Sequence, residues 1–365
     1  MGSGLTPRPD LSAAVALARR YVTDGSMPSV VIGVADARGV TGVQALGGSP
    51  AVNVDSIYFL ASLTKAIVAT AVMQYVDEGR WDLRAPLARY LPGFEGSGRE
   101  AVTAWHILTH TSGLADTSPE ELRRQRPTYR RLLADCRARV PRWTPGTRYE
   151  YNSTVWVLLA ETMATLSGMP FDRALRTRLT GPLGMVDTSF DPRYARRRVQ
   201  PVSGVDMRNR LVGEVLLRFL ARARFAGGGL FGTLPDLLRL GRSLLPVARP
   251  DDGSEHRIDG DGSEPAPPPV LSEAAISAMA SPQTEGIPHI AEDGTLTYID
   301  QAIGWRRPGP GWPQRESVIT HGGISGSRLW IDRQAGLVFV LLTNLWGAPD
   351  EPTMAILDAV YSAGA

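Results

Sequence analysis

A single cysteine and a single lysine occur in 365 residues. One thiol, Cys136, excludes an internal disulfide and cannot alone build a cysteine-based metal site. No histidine or asparagine motif accompanies it, so it reads as buried filler. Long apolar runs are missing too, and none approaches the ~20 residues a membrane-crossing helix needs. The opening MGSGLTPRPD lacks the charged-then-apolar pattern of a secretory leader, so a cytoplasmic location is the expectation. A strong field of either sign is also absent, with formal net charge only +2. The arginine clusters at 123–139 and 193–198 carry no aromatic-basic motif. The first is interleaved with Glu120, Glu121 and Asp135 and reads as a solvated helix face, so no nucleic-acid partner is expected.

What is present is an ordinary globular composition, 43% hydrophobic and 21% charged, able to bury a sizeable core. Apolar spacing predicts a helix over 11–22. VVIGVAD, bounded by turn residues, predicts a strand with 40–46 as its hairpin partner. A mostly buried helix is expected over 62–79, closed by Gly79. Helical patterns dominate from Thr103 to about Leu245, and the chain ends with three strand-like runs and a closing helix. The expected fold class is therefore α/β (α+β), an antiparallel sheet from both chain ends flanked by helices, with an inserted, mainly helical region. The boundaries read as 1–80 with 272–365 for the α/β part and 81–245 for the helical part. Segment 246–271, rich in Pro, Gly and Asp, reads as a mobile surface loop.

The lone lysine, Lys65, lies three residues after Ser62 in FLASLTKAIV, while the other basic side chains are all arginine. Arginine stays protonated, whereas a desolvated lysine can serve as a base. Ser62 opens the predicted helix with Lys65 one turn on, so the two share a face. The helix N-terminus suits a serine losing its proton. The alternative is an N-cap serine followed by a solvated lysine, but the apolar neighbours YFLA and AIVATAVM make an idle lysine costly.

SLTK, LTHTSGL, PGTRYEYNSTVWVLLAE, GGGLFGT and THGGISGSRLWID together resemble the penicillin-recognising serine hydrolases. The branch most similar holds class C β-lactamases, D-Ala-D-Ala carboxypeptidases, β-lactamase-like esterases and related acyltransferases. The resemblance implies the β-lactamase/transpeptidase-like fold, with Ser62 as nucleophile, Lys65 as base and Tyr151 as proton shuttle. The family's Tyr-x-Asn motif falls on YNS, so Ser153 replaces the asparagine that helps hold a substrate amide, and Asn152 moves to the middle position. Its third motif falls on His321, Gly322 and Gly323. By position the oxyanion hole uses the N–H groups of Ser62 and Ile324. His321 is expected to donate to Tyr151 or to a substrate carboxylate, and Gly323 to let the ligand approach the strand. Asn152 and Ser153 join these as expected substrate-facing residues.

HGGI also resembles the oxyanion loop of lipases, but no Gly-x-Ser-x-Gly elbow follows it. His106 and His110 stand four apart without a glutamate between them, and a structural role is favoured over metal binding. Gly227 to Gly229 lacks the Lys-Ser or Lys-Thr of a phosphate loop and reads as a tight turn lining the cleft. Trp156, Trp330 and Trp346 are candidates for walling an acyl pocket. The expectation is a serine hydrolase acting through an acyl-enzyme, most of all an esterase, on a small-molecule ester or amide, with no cofactor or metal. The alternatives are a β-lactamase, a D-Ala-D-Ala carboxypeptidase or D-aminopeptidase, an acyltransferase, and a non-catalytic penicillin-sensing protein.

Overall fold

The computed structural model describes residues 11–49, 51–203, 210–246, 266–291, 293–309, 312 and 316–363. The chain opens with α1 (Ser12–Thr23) and the hairpin β1 (Ser29–Asp36) and β2 (Gly39–Gly47). A two-residue strand β3 (Tyr58–Phe59) then leads into α2 (Leu63–Asp77). The helical middle runs through α3 (Ala104–Leu108), α4 (Pro119–Gln125), α5 (Tyr129–Ala138), α6 (Trp156–Ser167), α7 (Phe171–Leu175) and α8 (Arg210–Ala223). It is followed by β4 (Phe231–Gly232), α9 (Leu234–Ser243), α10 (Glu273–Ala280) and the small hairpin β5 (Pro288–Ile290) and β6 (Leu296–Tyr298). The end is β7 (Val318–Gly322), β8 (Arg328–Asp332), β9 (Leu337–Leu342) and α11 (Asp350–Ser362).

The main sheet has five strands in the order β2-β1-β9-β8-β7, with every neighbouring pair antiparallel. Both chain ends build it, because β9 lies beside β1. Alternation along the central strands splits the core in two. Val30, Ile32 and Val34 of β1 and Phe339 and Leu341 of β9 face α1 and α11, whereas Val31, Ala35, Val338, Val340 and Leu342 face the helical middle. A strand buried on both faces loses the polar half of its alternation, which is why β1 and β9 read as continuous apolar runs. Gly33 and Gly241 let α9 lie close on the sheet: a Cβ on Gly241 would stand 2.3 Å from Val338 Cγ1.

α2 is buried on nearly every face from Leu63 to Tyr75, as a helix apolar all round must be. It ends where Gly79 adopts φ +68°. The helices expected at 11–22 and 62–79 are present as α1 and α2, and the hairpin expected of 30–36 with 40–46 is present as β1 and β2. Of the segment 246–271, residues 247–265 lie outside the described residues.

Candidate active site

Three connections converge on the N-terminus of α2. Pairing of β3 with β4 brings 58–60 alongside 230–232, and Leu60 N–H donates to the Leu230 carbonyl at 2.9 Å. The turn after β7 is tied to the same place by Ser325 Oγ, which donates to Phe59 O at 2.9 Å. Ala61 takes φ +47°, a left-handed backbone that turns the chain sharply into the helix at Ser62. These constraints hold Ser62 at the helix N-terminus, on the wall of a cavity of about 970 Å³.

Lys65 is fully buried beneath Ser62. Its Nζ donates to Gly227 O at 2.6 Å, to Ser153 Oγ at 2.9 Å and to Ser62 Oγ at 3.3 Å. A buried ammonium needs such oxygens, since desolvating it unpaired is prohibitive. The Tyr151 ring adds to them, with its centroid 4.7 Å from Nζ.

Tyr151 comes from the loop between α5 and α6. Burial alone would raise its phenol pKa. The Lys65 charge, hydrogen bonds with Lys65 and Ser62, and the Arg306 guanidinium outweigh that effect and hold it below the ordinary tyrosine value. Ser62, Lys65 and Tyr151 therefore form one connected group.

The next two residues part company. Asn152, expected to face substrate, turns into the protein instead. Its Nδ2 donates to Leu114 O at 2.6 Å, its Oδ1 accepts from Val155 N–H, and its own N–H donates to His110 Nδ1 at 3.1 Å. Ser153 faces the cavity and accepts from Lys65. Asp116 sets this division, because its carboxylate accepts from the N–H groups of Ser153 and Thr154 and from Thr154 Oγ.

The opposite wall is the end of β7. His321 is buried, and its Nδ1 lies 2.9 Å from Gly322 O. A carbonyl accepts only, so Nδ1 carries the proton and Nε2 is left as an acceptor, without a partner among the described residues. Burial first, then the Arg306 and Lys65 charges, hold this imidazole well below its usual pKa, so it is neutral. The role expected of His321, donating to Tyr151 or to a substrate carboxylate, is thus replaced by an acceptor role at Nε2. Gly323 permits the close approach of the two walls, since a Cβ there would stand 2.4 Å from Leu60 O. Its N–H is taken by Ser327 O, whereas the Ser62 and Ile324 N–H groups donate to no group among the described residues.

Sequence reasoning missed three contributors. Gly227 acts through its carbonyl, Asp116 through a clamp on Ser153, and Arg306 through a guanidinium 5.1 Å from the Tyr151 ring centroid. The tight-turn reading of Gly227 found its place but not its partner, and nothing in local pattern marks the other two. Of the three tryptophans, Trp346 lines the cavity with Phe59, Phe219, Leu220, Phe225 and Phe231. Trp156 lies behind Lys65, and Trp330 belongs to the far core with its Nε1 on Tyr361. His106 caps α3 by pairing with Thr103, and His110 accepts from Asn152. Among the described residues, no three His, Cys, Asp or Glu side chains converge as a metal site would require. No helix among them is long and apolar enough to cross a membrane.

Two curated relatives share most of this architecture's length. The chain is 32% identical over 321 residues to penicillin-binding protein 4 of Amycolatopsis lactamdurans, covering 83% of this chain and 76% of that protein. It is 28% identical over 348 residues to esterase EstB of Burkholderia gladioli, covering 84% and 83%. The fold is that of a solved family VIII carboxylesterase, with a TM-score of 0.77 over 99% of both chains at 18% identity. The β-lactamase family model matches residues 14–363, and the chain belongs to that family of serine hydrolases.

Proposed function

We propose that this chain is a carboxylic ester hydrolase working through an acyl-Ser62 intermediate. The observation that carries the reading is the convergence of Ser62, Lys65 and Tyr151 beside two unengaged backbone N–H groups, at the wall of an apolar cavity. Ser62 Oγ attacks the ester carbonyl while the Tyr151 phenolate takes its proton. Lys65 stabilises that phenolate and lies within reach to carry the proton onward. The Ser62 and Ile324 N–H groups receive the oxyanion, the kind of preorganised donor pair that supplies a large share of acyl-transfer rate. Alcohol departs, water attacks the acyl-enzyme, and the same groups work in reverse.

Two features support an ester over an amide or β-lactam. The asparagine amide next to Tyr151 is spent on Leu114 O, and the residue facing the cavity is the short Ser153. The aromatic wall suits an apolar acyl or alcohol group. A second reading, acylation by a penicillin, is favoured by the relative named penicillin-binding protein 4.

Intact-mass spectrometry and turnover with p-nitrophenyl butyrate and, separately, a penicillin test both. Ester turnover lost in Ser62→Ala supports the esterase. A stable penicilloyl adduct without ester turnover moves the assignment to the second reading.

A further inference from the structure

Ser153 is placed by three independent constraints. Its N–H donates to Asp116 Oδ2 at 2.8 Å. Its carbonyl packs so tightly on Gly227 that a Cβ there would stand 2.1 Å away. Its Oγ accepts from Lys65 Nζ at 2.9 Å, a shorter approach than the 3.3 Å from Nζ to Ser62 Oγ. The hydroxyl has one proton of its own, and no group among the described residues accepts it. The side chain lines the cavity beside Asp116 and Thr117.

A hydroxyl that receives an N–H from the site's lysine and turns its own O–H to the substrate is arranged as a relay. Tyr151 lies on another side of the lysine, its ring centroid 4.7 Å from Lys65 Nζ, and in the proposed reaction it is engaged with the Ser62 proton. We propose that Ser153 is a second proton carrier of this site, delivering a proton from Lys65 to the departing alcohol. The proposal rests on the ester-hydrolase reading and deepens it.

The step balances without a co-reactant. Attack moves the Ser62 proton to Tyr151. Collapse of the tetrahedral intermediate re-forms the carbonyl and breaks the bond to the leaving oxygen. That oxygen takes the Ser153 proton, Ser153 Oγ takes one from Lys65 Nζ, and Tyr151 returns its proton to Lys65. The substrates that need this path are esters of ordinary alkyl alcohols, whose alkoxides leave badly unless protonated. A p-nitrophenyl ester, whose leaving group departs as a stable anion, does not need it.

The test is kcat/KM for wild type, Ser153→Ala and Ser153→Thr on ethyl butyrate and on p-nitrophenyl butyrate, with Ser62→Ala as the blank. Ser153→Ala should lose activity on both esters through the lost Lys65 contact, but ~100-fold more on the ethyl ester than on the p-nitrophenyl ester, the size of a lost general acid. Ser153→Thr, which keeps the hydroxyl, should recover most of the ethyl-ester rate. Equal losses on both esters, or none on the ethyl ester, would overturn the relay while wild-type turnover leaves the hydrolase reading standing. Absence of Ser62-dependent wild-type turnover on either ester would overturn that reading, and the relay with it.

Discussion

Lys65 Nζ and the Gly227 carbonyl oxygen stand 2.6 Å apart, across 162 positions of sequence. A carbonyl can only accept, so this contact commits one Lys65 N–H permanently and aims the remainder of the head group at Ser62 and Ser153. Gly227 reaches this position because it lacks a side chain that would collide with Ser153. The chemistry of the lone lysine is therefore tuned by a backbone group.

Lys65→Arg keeps a cation but brings a larger, planar group that stays protonated. Lys65 is fully enclosed, so the guanidinium must push against Ser153 or Gly227. kcat/KM is expected to fall by ~100-fold or more, with far-UV circular dichroism unchanged. Near-normal turnover would remove Lys65 from the proton path.

Gly227→Ala places a methyl against the Ser153 carbonyl. Overpacking of this kind costs about 1–3 kcal/mol, read by urea unfolding, and kcat should fall more than KM rises. Gly309→Ala meets no atom within 4 Å and serves as the control. It should stay within ~0.5 kcal/mol of wild type.

Tyr151 acts as base only when ionised, and the site holds its pKa below the ordinary tyrosine value. The expected kcat/KM therefore rises with pH to an apparent pKa below 10 and levels off above it. Tyr151→Phe should remove that limb and cost ~10²–10⁴-fold. Profiles of the same shape in both proteins would show that another group is the base.

His110 and His321 are buried with pKa values pushed well below normal, first by burial and then by nearby cations, including Lys65 and Arg306. In the unfolded chain each takes up a proton near pH 6.5, so below that pH the unfolded state binds more protons than the native one. Stability should fall as pH drops from 6.5, by up to ~1.4 kcal/mol per unit for each such group. Thermal unfolding of wild type and His321→Asn between pH 7.5 and 5 checks this. The variant should show the shallower slope.

Asp116→Asn preserves shape but turns one acceptor oxygen into a donor facing the donors of the 153–154 segment. Asp116 and its bond with the Ser153 N–H are exposed, so water can take the place of the lost acceptor and the change in stability should stay at about 0.5–1.5 kcal/mol. The accompanying loss should lie in kcat, because Ser153 moves while the apolar cavity wall does not. Unchanged kcat would mean that the Gly227 and Lys65 contacts hold Ser153 without the Asp116 clamp.

Much of this was legible in order along the chain. The apolar run of α2, its Gly79 stop and the Ser-x-x-Lys spacing are local, and local spacing dictates which side chains share a helix face. The hairpin of β1 and β2 was legible for the same reason. Asn152 and Ser153 show where that reasoning stops. They are neighbours of similar polarity, and nothing in local pattern says which one faces the cavity. The Asp116 clamp and the Leu114 carbonyl decide it.

The sequence by itself determined the reactive types and their local spacing: one lysine, a serine one turn before it, a tyrosine in a polar loop, and a histidine followed by two glycines. Tertiary structure alone decided how those groups behave. It set Gly227 O on Lys65, put the proton of His321 on Nδ1, and turned Ser153 toward the cavity while Asn152 was spent on a backbone carbonyl. The reason is physical: hydrogen-bond donors and charges choose partners by distance in space, and the packing of distant segments sets those distances.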